Sequence, residues 1–349
     1  MNILSVAFGD LTFVDVHDPK ELELKHLRTE YNISKFHLED YINRKQVPKI
    51  EEEKDYILIV LDIPFLDDGT EEVHQNGNSH TPPEEPKQPV FGITDLIPKP
   101  STISNLIFGK LKQKRIRTAH VNFFVGQNFL VVLHDDKTPE VDHIFTECQK
   151  TLVNREEYMG QGPNNLFFSI TNALINSSFK VMNELSGAID DIDLRLIKNK
   201  APGGIVEEIS VMRRNIVYFK SMVTPAISIF ADLSTGKFPG FEESSSISWS
   251  SMLDHLQKIK YRLDGNRELI EGIASSYESL LTARSNEIMK VLTMFTAILL
   301  PLTFLASVYG MNIIGLPKAE DPDVLLILST IMAVIASFMV LIFKISRWL

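Results

Sequence analysis

Eight residues near the C-terminal end are spaced so that a helix brings them to one face. Asn286, Met289, Leu292, Thr296, Leu300, Thr303, Ser307 and Gly310 step by 3, 3, 4, 4, 3, 4 and 3 residues, a mean of about 3.4, close to one helical turn per step. Small hydroxyl or amide side chains alternate along this line with Met and Leu, and no carboxylate interrupts it. Polar groups so placed tolerate local hydration, while the apolar rings between them squeeze water out, as in a gated conduction path. Ser, Thr and Gly also let two helices approach closely in lipid, so composition alone admits a packing face as well.

The line lies in a segment built to cross a membrane. Residues 291–316 are 26 consecutive residues without a charge and 324–343 are another 20, whereas a helix needs ~20 to span the hydrocarbon. An overall composition of 44% hydrophobic and 23% charged residues conceals this division. Neither segment is placed as a signal peptide, and the first residues, Met1-Asn2-Ile3-Leu4-Ser5, lack a basic stretch before an apolar one. Lys290 precedes the first span and Lys344 and Arg347 follow the second, while the connection carries Lys318 against Glu320, Asp321 and Asp323. That asymmetry predicts a multi-pass protein of the cell (inner) membrane with both termini cytoplasmic, an external loop at 317–323 and a cytosolic tail at 344–349. The second span has only Ser329, Thr330 and Ser337 as polar side chains and reads as a lipid-facing outer helix. Two spans cannot enclose water by themselves, so a pore here implies a symmetric homo-oligomer in which each line residue repeats as a ring.

Upstream, residues 1–160 read as a cytosolic α/β domain. Apolar β-rich runs occur at 3–8, 11–16, 56–64, 119–125 and 128–134, the last two flanking Gly126-Gln127 as hairpin strands do; 19–31 and 36–42 read as helices. The polar stretch 67–89, with Asn-Gly-Asn and Pro-Pro, reads as a disordered loop between two strands, and its His74 and His80 as solvated side chains. Residues 164–247 predict an antiparallel helical pair: Leu166, Ile170, Leu174, Phe179, Met182, Leu185, Ile189, Ile192 and Leu196 form an apolar stripe, Pro202-Gly203-Gly204 stops it, and 205–233 return. A stalk helix over 248–290 then runs without a stop into the first span, and forty such residues make ~60 Å of helix. Its residues 250–290 balance six acids against six bases, as a solvated coiled-coil-like helix does.

Other chemistries are poorly served. The single cysteine, Cys148, excludes an intramolecular disulfide and any Cys-x-x-Cys metal knuckle. A net charge of −10 argues against nucleic-acid binding; residues 51–100 alone hold 12 acids against three bases, a balance of −9. A phosphate loop, GxSxG and HExxH are all absent, which leaves an enzyme anchored by two helices without a candidate site.

At the end of the first span stands Tyr309-Gly310-Met311-Asn312. Gly-Met-Asn closing the first of two C-terminal spans resembles the signature of the CorA magnesium-transporter family, two-transmembrane GMN-motif metal ion transporters. The likeness extends to Asn286-Glu287-Ile288-Met289-Lys290-Val291-Leu292-Thr293 and to Pro301-Leu302-Thr303-Phe304. It continues through His37-Leu38-Glu39-Asp40, Pro48-Lys49-Ile50-Glu51 and the strand from Asn128 to His134, and covers nearly the whole chain. The resemblance implies a funnel-shaped homopentameric channel for divalent-cation influx: an α/β cytosolic domain, long antiparallel and stalk helices, and two C-terminal transmembrane helices among membrane lipid. It implies Mg²⁺ as transported ion and regulatory ligand, with Co²⁺ and Ni²⁺ also passing, or alternatively a zinc or other transition-metal transporter of the same architecture. Gly310, Met311 and Asn312 become the selectivity filter at the external mouth, supported by Tyr309 and Pro301. Asn286, Met289, Leu292, Leu300 and Thr303 become pore-lining, with Thr296 and Ser307 on the same line. A ring of neutral oxygens suits Mg²⁺, which surrenders its water reluctantly.

Some positions depart from the family pattern. Where relatives often carry paired aspartates this chain reads Asn172-Ala173-Leu174-Ile175-Asn176, and the stalk offers Ser250 and Ser251 before Asp254. Asp254, Glu268, Glu271 and Glu278 remain as stalk acids for a cytosolic sensor, beside the plainer reading of solvated charges on an exposed helix.

Overall fold

The computed structural model describes residues 3–43, 47–67, 115–198, 204–238, 240–241, 244, 247–311 and 322–346. The polar stretch from 68 onward with His74 and His80, the 317–321 part of the external loop with Lys318, Glu320 and Asp321, Asn312, and Arg347 in the tail lie outside the described residues. The chain divides into two units, Met1–Ile273 and Ala274–Leu349.

The first unit opens with strands β1 (Ile3–Phe8) and β2 (Leu11–His17) and helices α1 (Glu21–Tyr31) and α2 (Lys35–Ile42). Strands β3 (Lys49–Glu52), β4 (Tyr56–Asp67), β5 (Arg115–Gly126) and β6 (Phe129–His134) follow. They make one sheet of order β1-β2-β6-β5-β4-β3, in which β2 and β6 pair in parallel and every other neighbour is antiparallel. β4 is buried over Tyr56 to Leu61 without alternation, as a strand covered on both faces must be. On one face Val14, Val16, Leu58, Val60, Phe124, Val131 and Leu133 pack with Leu24 and Leu27 of α1, Ile33 and Leu38. On the other, Phe13 meets Phe145 at 5.1 Å and Phe123 meets Phe167 at 5.0 Å between ring centroids. The hairpin at Gly126 needs its glycine, because a Cβ there would sit 2.3 Å from the Phe129 ring.

Three elements were not individually predicted. β3, Lys-Ile-Glu-Glu, is a charged edge strand whose partner β4 supplies its conformation. α3 (Pro139–Lys150) starts on Thr138 with Pro139 in its first turn and buries Val141, Ile144, Phe145 and Cys148; α4 (Leu152–Met159) follows with Thr151 capping Asn154 N–H.

Beyond Met159 the chain is helical: α5 (Pro163–Ile197), α6 (Ile205–Ser234) and α7 (Trp249–Tyr309). Every residue of the predicted α5 stripe is buried except Phe179, which is half-buried. The rings of Phe167, Phe168, Phe230 and Phe241 surround Trp249 with centroids 5.4 to 6.3 Å away.

In the second unit, α7 continues to Tyr309 and α8 covers Pro322–Ile345. The described helix runs to Tyr309, with residues 312–316 of the expected span outside the described residues, and the nineteen residues from Val291 to Tyr309 supply ~28 Å, close to the hydrocarbon thickness. Three helices are long and apolar enough to cross a membrane, α6, α7 and α8, with mean hydropathy of 1.3, 2.1 and 2.8 over their best windows. In α6, 44% of that window is buried against the rest of its unit; in α7 and α8 none is. The apolar window of α6 is thus used in packing, whereas those of α7 and α8 are not buried by any described residue.

Candidate functional site

All eight residues of the polar line, Asn286 to Gly310, are exposed in the single chain. On a helix of 3.6 residues per turn they fall within an arc of about 120°. Met294, Ile298, Pro301, Leu305 and Val308 occupy the opposite side and are half-buried. The helix therefore has one face partly covered and one, carrying the polar groups, uncovered by any described residue.

The threonines on the uncovered face spend their protons on the helix. Thr296 Oγ1 donates to the Leu292 carbonyl at 2.9 Å, and Thr303 Oγ1 to the Leu299 and Leu300 carbonyls at 2.9 and 3.0 Å. Their oxygens thus present lone pairs outward, the polarity needed toward the water shell of a cation. Pro301 supplies no N–H, so the Ala297 carbonyl has no donor four residues on. At the helix end Gly310 N–H still reaches the Ala306 carbonyl at 2.9 Å, and a Cβ on Gly310 would lie 3.2 Å from that oxygen. Met311 follows, exposed, and Asn312 is beyond the described residues. The line thus lies on a single helix face; the closing Gly-Met-Asn is seen only as far as Met311.

The stalk acids are not brought together. Asp254, Glu268, Glu271 and Glu278 are all exposed along α7, and within the first unit 17 residues of helix separate Asp254 from Glu271 by ~26 Å. Glu271 accepts from Arg267 Nε at 2.9 Å. On α5, Asn172 is half-buried and Asn176 exposed.

A different cluster forms in the α/β domain, where His17, His134 and Asp142 bring ligand atoms within 4.8 Å of one another. Burial by itself would push the His134 imidazole pKa down, but the hydrogen bond and charge of Asp15, with Asp142 and the Asp135 carbonyl, outweigh it and hold it above the ordinary value. Burial, then the negative charges of Asp15 and Asp136, raise the Asp142 carboxyl against the opposing pull of His134 and His17. The sequence signal was slender: two strands that each end in His followed by Asp.

The profile of the family described as "CorA-like Mg2+ transporter protein" matches residues 103–347. The chain is 24% identical over 208 residues to the YfjQ protein of Bacillus subtilis, covering 60% of this chain and 64% of that one. To the cobalt/magnesium transport protein CorA of Methanocaldococcus jannaschii it is 23% identical over 349 residues, 99% of this chain and 94% of the relative. To the zinc transport protein ZntB of Pectobacterium atrosepticum it is 21% identical over 232 residues, 66% and 68% respectively. The complete structure of the M. jannaschii CorA magnesium transporter superposes with a TM-score of 0.73 at 20% identity, over 99% of this chain and 94% of that one. An α/β domain, a long helix with an uncovered polar line and two C-terminal apolar helices, joined to a profile match over most of the length, mean that this chain belongs to the CorA-like Mg2+ transporter family of divalent-cation membrane transporters, which are not enzymes.

Proposed function

We propose that the chain is one subunit of a homopentameric channel that admits hydrated Mg²⁺ into the cell across the inner membrane, with both termini cytoplasmic. The observation that carries this reading is the uncovered line on α7. In lipid the outward lone pairs of those hydroxyls would meet no donor; repeated around a symmetry axis, the line forms a path with wet rings at Asn286, Thr296, Thr303 and Ser307. Apolar rings at Met289, Leu292 and Leu300 lie between them. Gly310, Met311 and Asn312 form the external filter, flanked by Tyr309. Because the line holds no carboxylate and no imidazole, it has no group that would strip a hard cation of its water, which suits Mg²⁺ with its shell on. Inward movement draws on the membrane potential, about 4.6 kcal/mol per 100 mV for a double charge.

Similarity to a zinc transport protein gives substance to a second reading, the transition-metal carrier of the same architecture. Reconstitution in liposomes with Mg²⁺, Co²⁺, Ni²⁺ and Zn²⁺ compared side by side separates the two. Mg²⁺ flux that depends on inside-negative potential and disappears in a correctly assembled Asn312→Ala oligomer is expected; Zn²⁺ flux alone would select the second reading, and undiminished Mg²⁺ flux in Asn312→Ala would sink the filter.

A further inference from the structure

Two histidines and three aspartates converge where β2 and β6 end against the first turn of α3. His17 is the register partner of His134, and their rings meet edge to face with centroids 5.0 Å apart. Asp15 shares their side of the sheet, two residues before His17. Asp142 comes from α3, and Asp136 from the turn that leads into it.

Hydrogen-bond directions decide what the two rings offer. The Thr138 hydroxyl donates to the Asp135 carbonyl at 3.1 Å, so toward His134 Nδ1, 3.0 Å away, it turns a lone pair. Nδ1 also faces the Asp135 carbonyl at 3.1 Å and must therefore carry a hydrogen. That leaves Nε2 directed at Asp15 Oδ1, 2.7 Å away, and toward Asp142 Oδ1 at 3.8 Å. His17 repeats the arrangement from the other side: Nε2 bonds Asp136, and Nδ1 looks toward Asp142 Oδ1 at 3.9 Å. In each ring one nitrogen is tied to an oxygen that Asp142 does not supply, and the other lies near the Asp142 carboxylate: His134 Nε2, which also bonds Asp15, at 3.8 Å and His17 Nδ1 at 3.9 Å. Histidines that ligate metals are held in this way, their second nitrogen fixed by a carboxylate or a carbonyl.

We propose that His17, His134 and Asp142, with Asp15 as fourth donor, form a binding site for a zinc-class divalent ion (Zn²⁺, Co²⁺ or Ni²⁺) in the α/β domain, made of residues the conduction path does not use. Four ligands at 2.0 to 2.2 Å from a tetrahedral ion stand about 3.4 Å apart. Asp142 Oδ1, 3.9 Å from His17 Nδ1 and 3.8 Å from His134 Nε2, approaches that spacing by an inward shift of about half an ångström of a side chain 47% exposed on the first turn of α3, and Asp15 Oδ1, 2.7 Å from His134 Nε2, must draw back from it by about 0.7 Å. Three carboxylates around two rings leave a surplus of negative charge that a dication offsets. His17 and Asp136, 32% and 69% exposed, leave the site open to solvent. Two imidazole donors favour borderline transition ions over Mg²⁺, which takes oxygens in an octahedron. Such a site stands whichever ion the pore conducts.

The test uses the full-length protein in detergent, stripped with EDTA and titrated with Co²⁺, whose visible d–d absorption reports tetrahedral coordination, then with Zn²⁺ in competition. One tetrahedral Co²⁺ per chain is expected, displaced by Zn²⁺ and indifferent to a large excess of Mg²⁺. His17→Ala and Asp142→Ala, both at partly exposed positions, should each weaken binding about tenfold or more, and Asp136→Asn, which frees the His17 ring, about 10- to 100-fold. Unchanged circular dichroism shows that these variants fold. Asn312→Ala should bind as the parent does. A missing tetrahedral band in the parent, a band kept by the His17→Ala/Asp142→Ala double variant, or a band lost with Asn312→Ala alone would each overturn the site.

Discussion

His17 and His134 end their strands level with one another: β2 and β6 run parallel, and the register sets the two residues opposite, ring against ring at 5.0 Å. β2 is held on its other edge by the antiparallel hairpin with β1, where Asp15 pairs with Leu4. A one-residue slip between β2 and β6 would turn Asp15 and His17 to the opposite face, where Val14 and Val16 now pack with α1. The same apolar alternation that builds the core therefore aligns the histidines.

If the external filter touches the hydration shell and not the metal, an ion complex that cannot exchange its ligands should dock without passing. Cobalt(III) hexaammine presents N–H groups where hydrated Mg²⁺ presents O–H. Added outside, it is expected to inhibit Mg²⁺ uptake competitively, to remain untransported, and to inhibit less in Asn312→Ala. Uptake assays with excess complex that show full Mg²⁺ flux would refute recognition of the hydrated ion.

Leu292 lies on the uncovered face of α7, one turn before Thr296. In the proposed channel a ring of Leu292 side chains would exclude water from the closed path. Leu292→Ser should therefore leak when internal Mg²⁺ is high, with closed-state conductance well above that of the parent. Equal conductance in planar bilayers places the hydrophobic gate elsewhere.

Trp249 is fully buried among Phe167, Phe168, Phe230 and Phe241. Trp249→Ala leaves a cavity that four rings held by two helices and a loop cannot all close, and should destabilise the first unit by about 3 to 5 kcal/mol. Urea denaturation followed by circular dichroism reads this as a lower midpoint; a midpoint within error of the parent would show that the cluster collapses freely.

Burial pushes the Cys148 thiol up to about 11, against the opposing charge of Arg155 and helped by Glu147. A thiol whose folded pKa lies above its unfolded value keeps its proton more tightly when folded. Its contribution to stability is therefore complete below the unfolded pKa and is lost as pH rises from there through the folded value near 11. At pH 8 the thiolate fraction, and with it alkylation by iodoacetamide, should be about 100-fold lower in the native protein than in urea. Equal rates would mean that the thiol opens to solvent.

Much of the architecture is legible because its signals are local. β1, β4, β6, α1, α2, α5 and α6 announce themselves by runs or stripes that need no partner to be seen. The α7 line is legible for the same reason, since 3.6-residue periodicity lies wholly within one segment. β3 escaped because Lys49, Glu51 and Glu52 carry no apolar pattern, and its extended form comes from pairing with β4. The tertiary structure decided two further things. It buried 44% of the apolar window in α6 while leaving those of α7 and α8 bare, a distinction that depends on what packs against each helix and not on hydropathy. It also assembled His17, His134 and Asp142, whose ligand atoms converge, with Asp15 against His134, because a parallel strand pair and the start of α3 meet at one corner. Periodicity is carried by neighbours in the chain, so a sequence displays it; convergence of distant residues is set by strand order and register, which exist only once the sheet has formed.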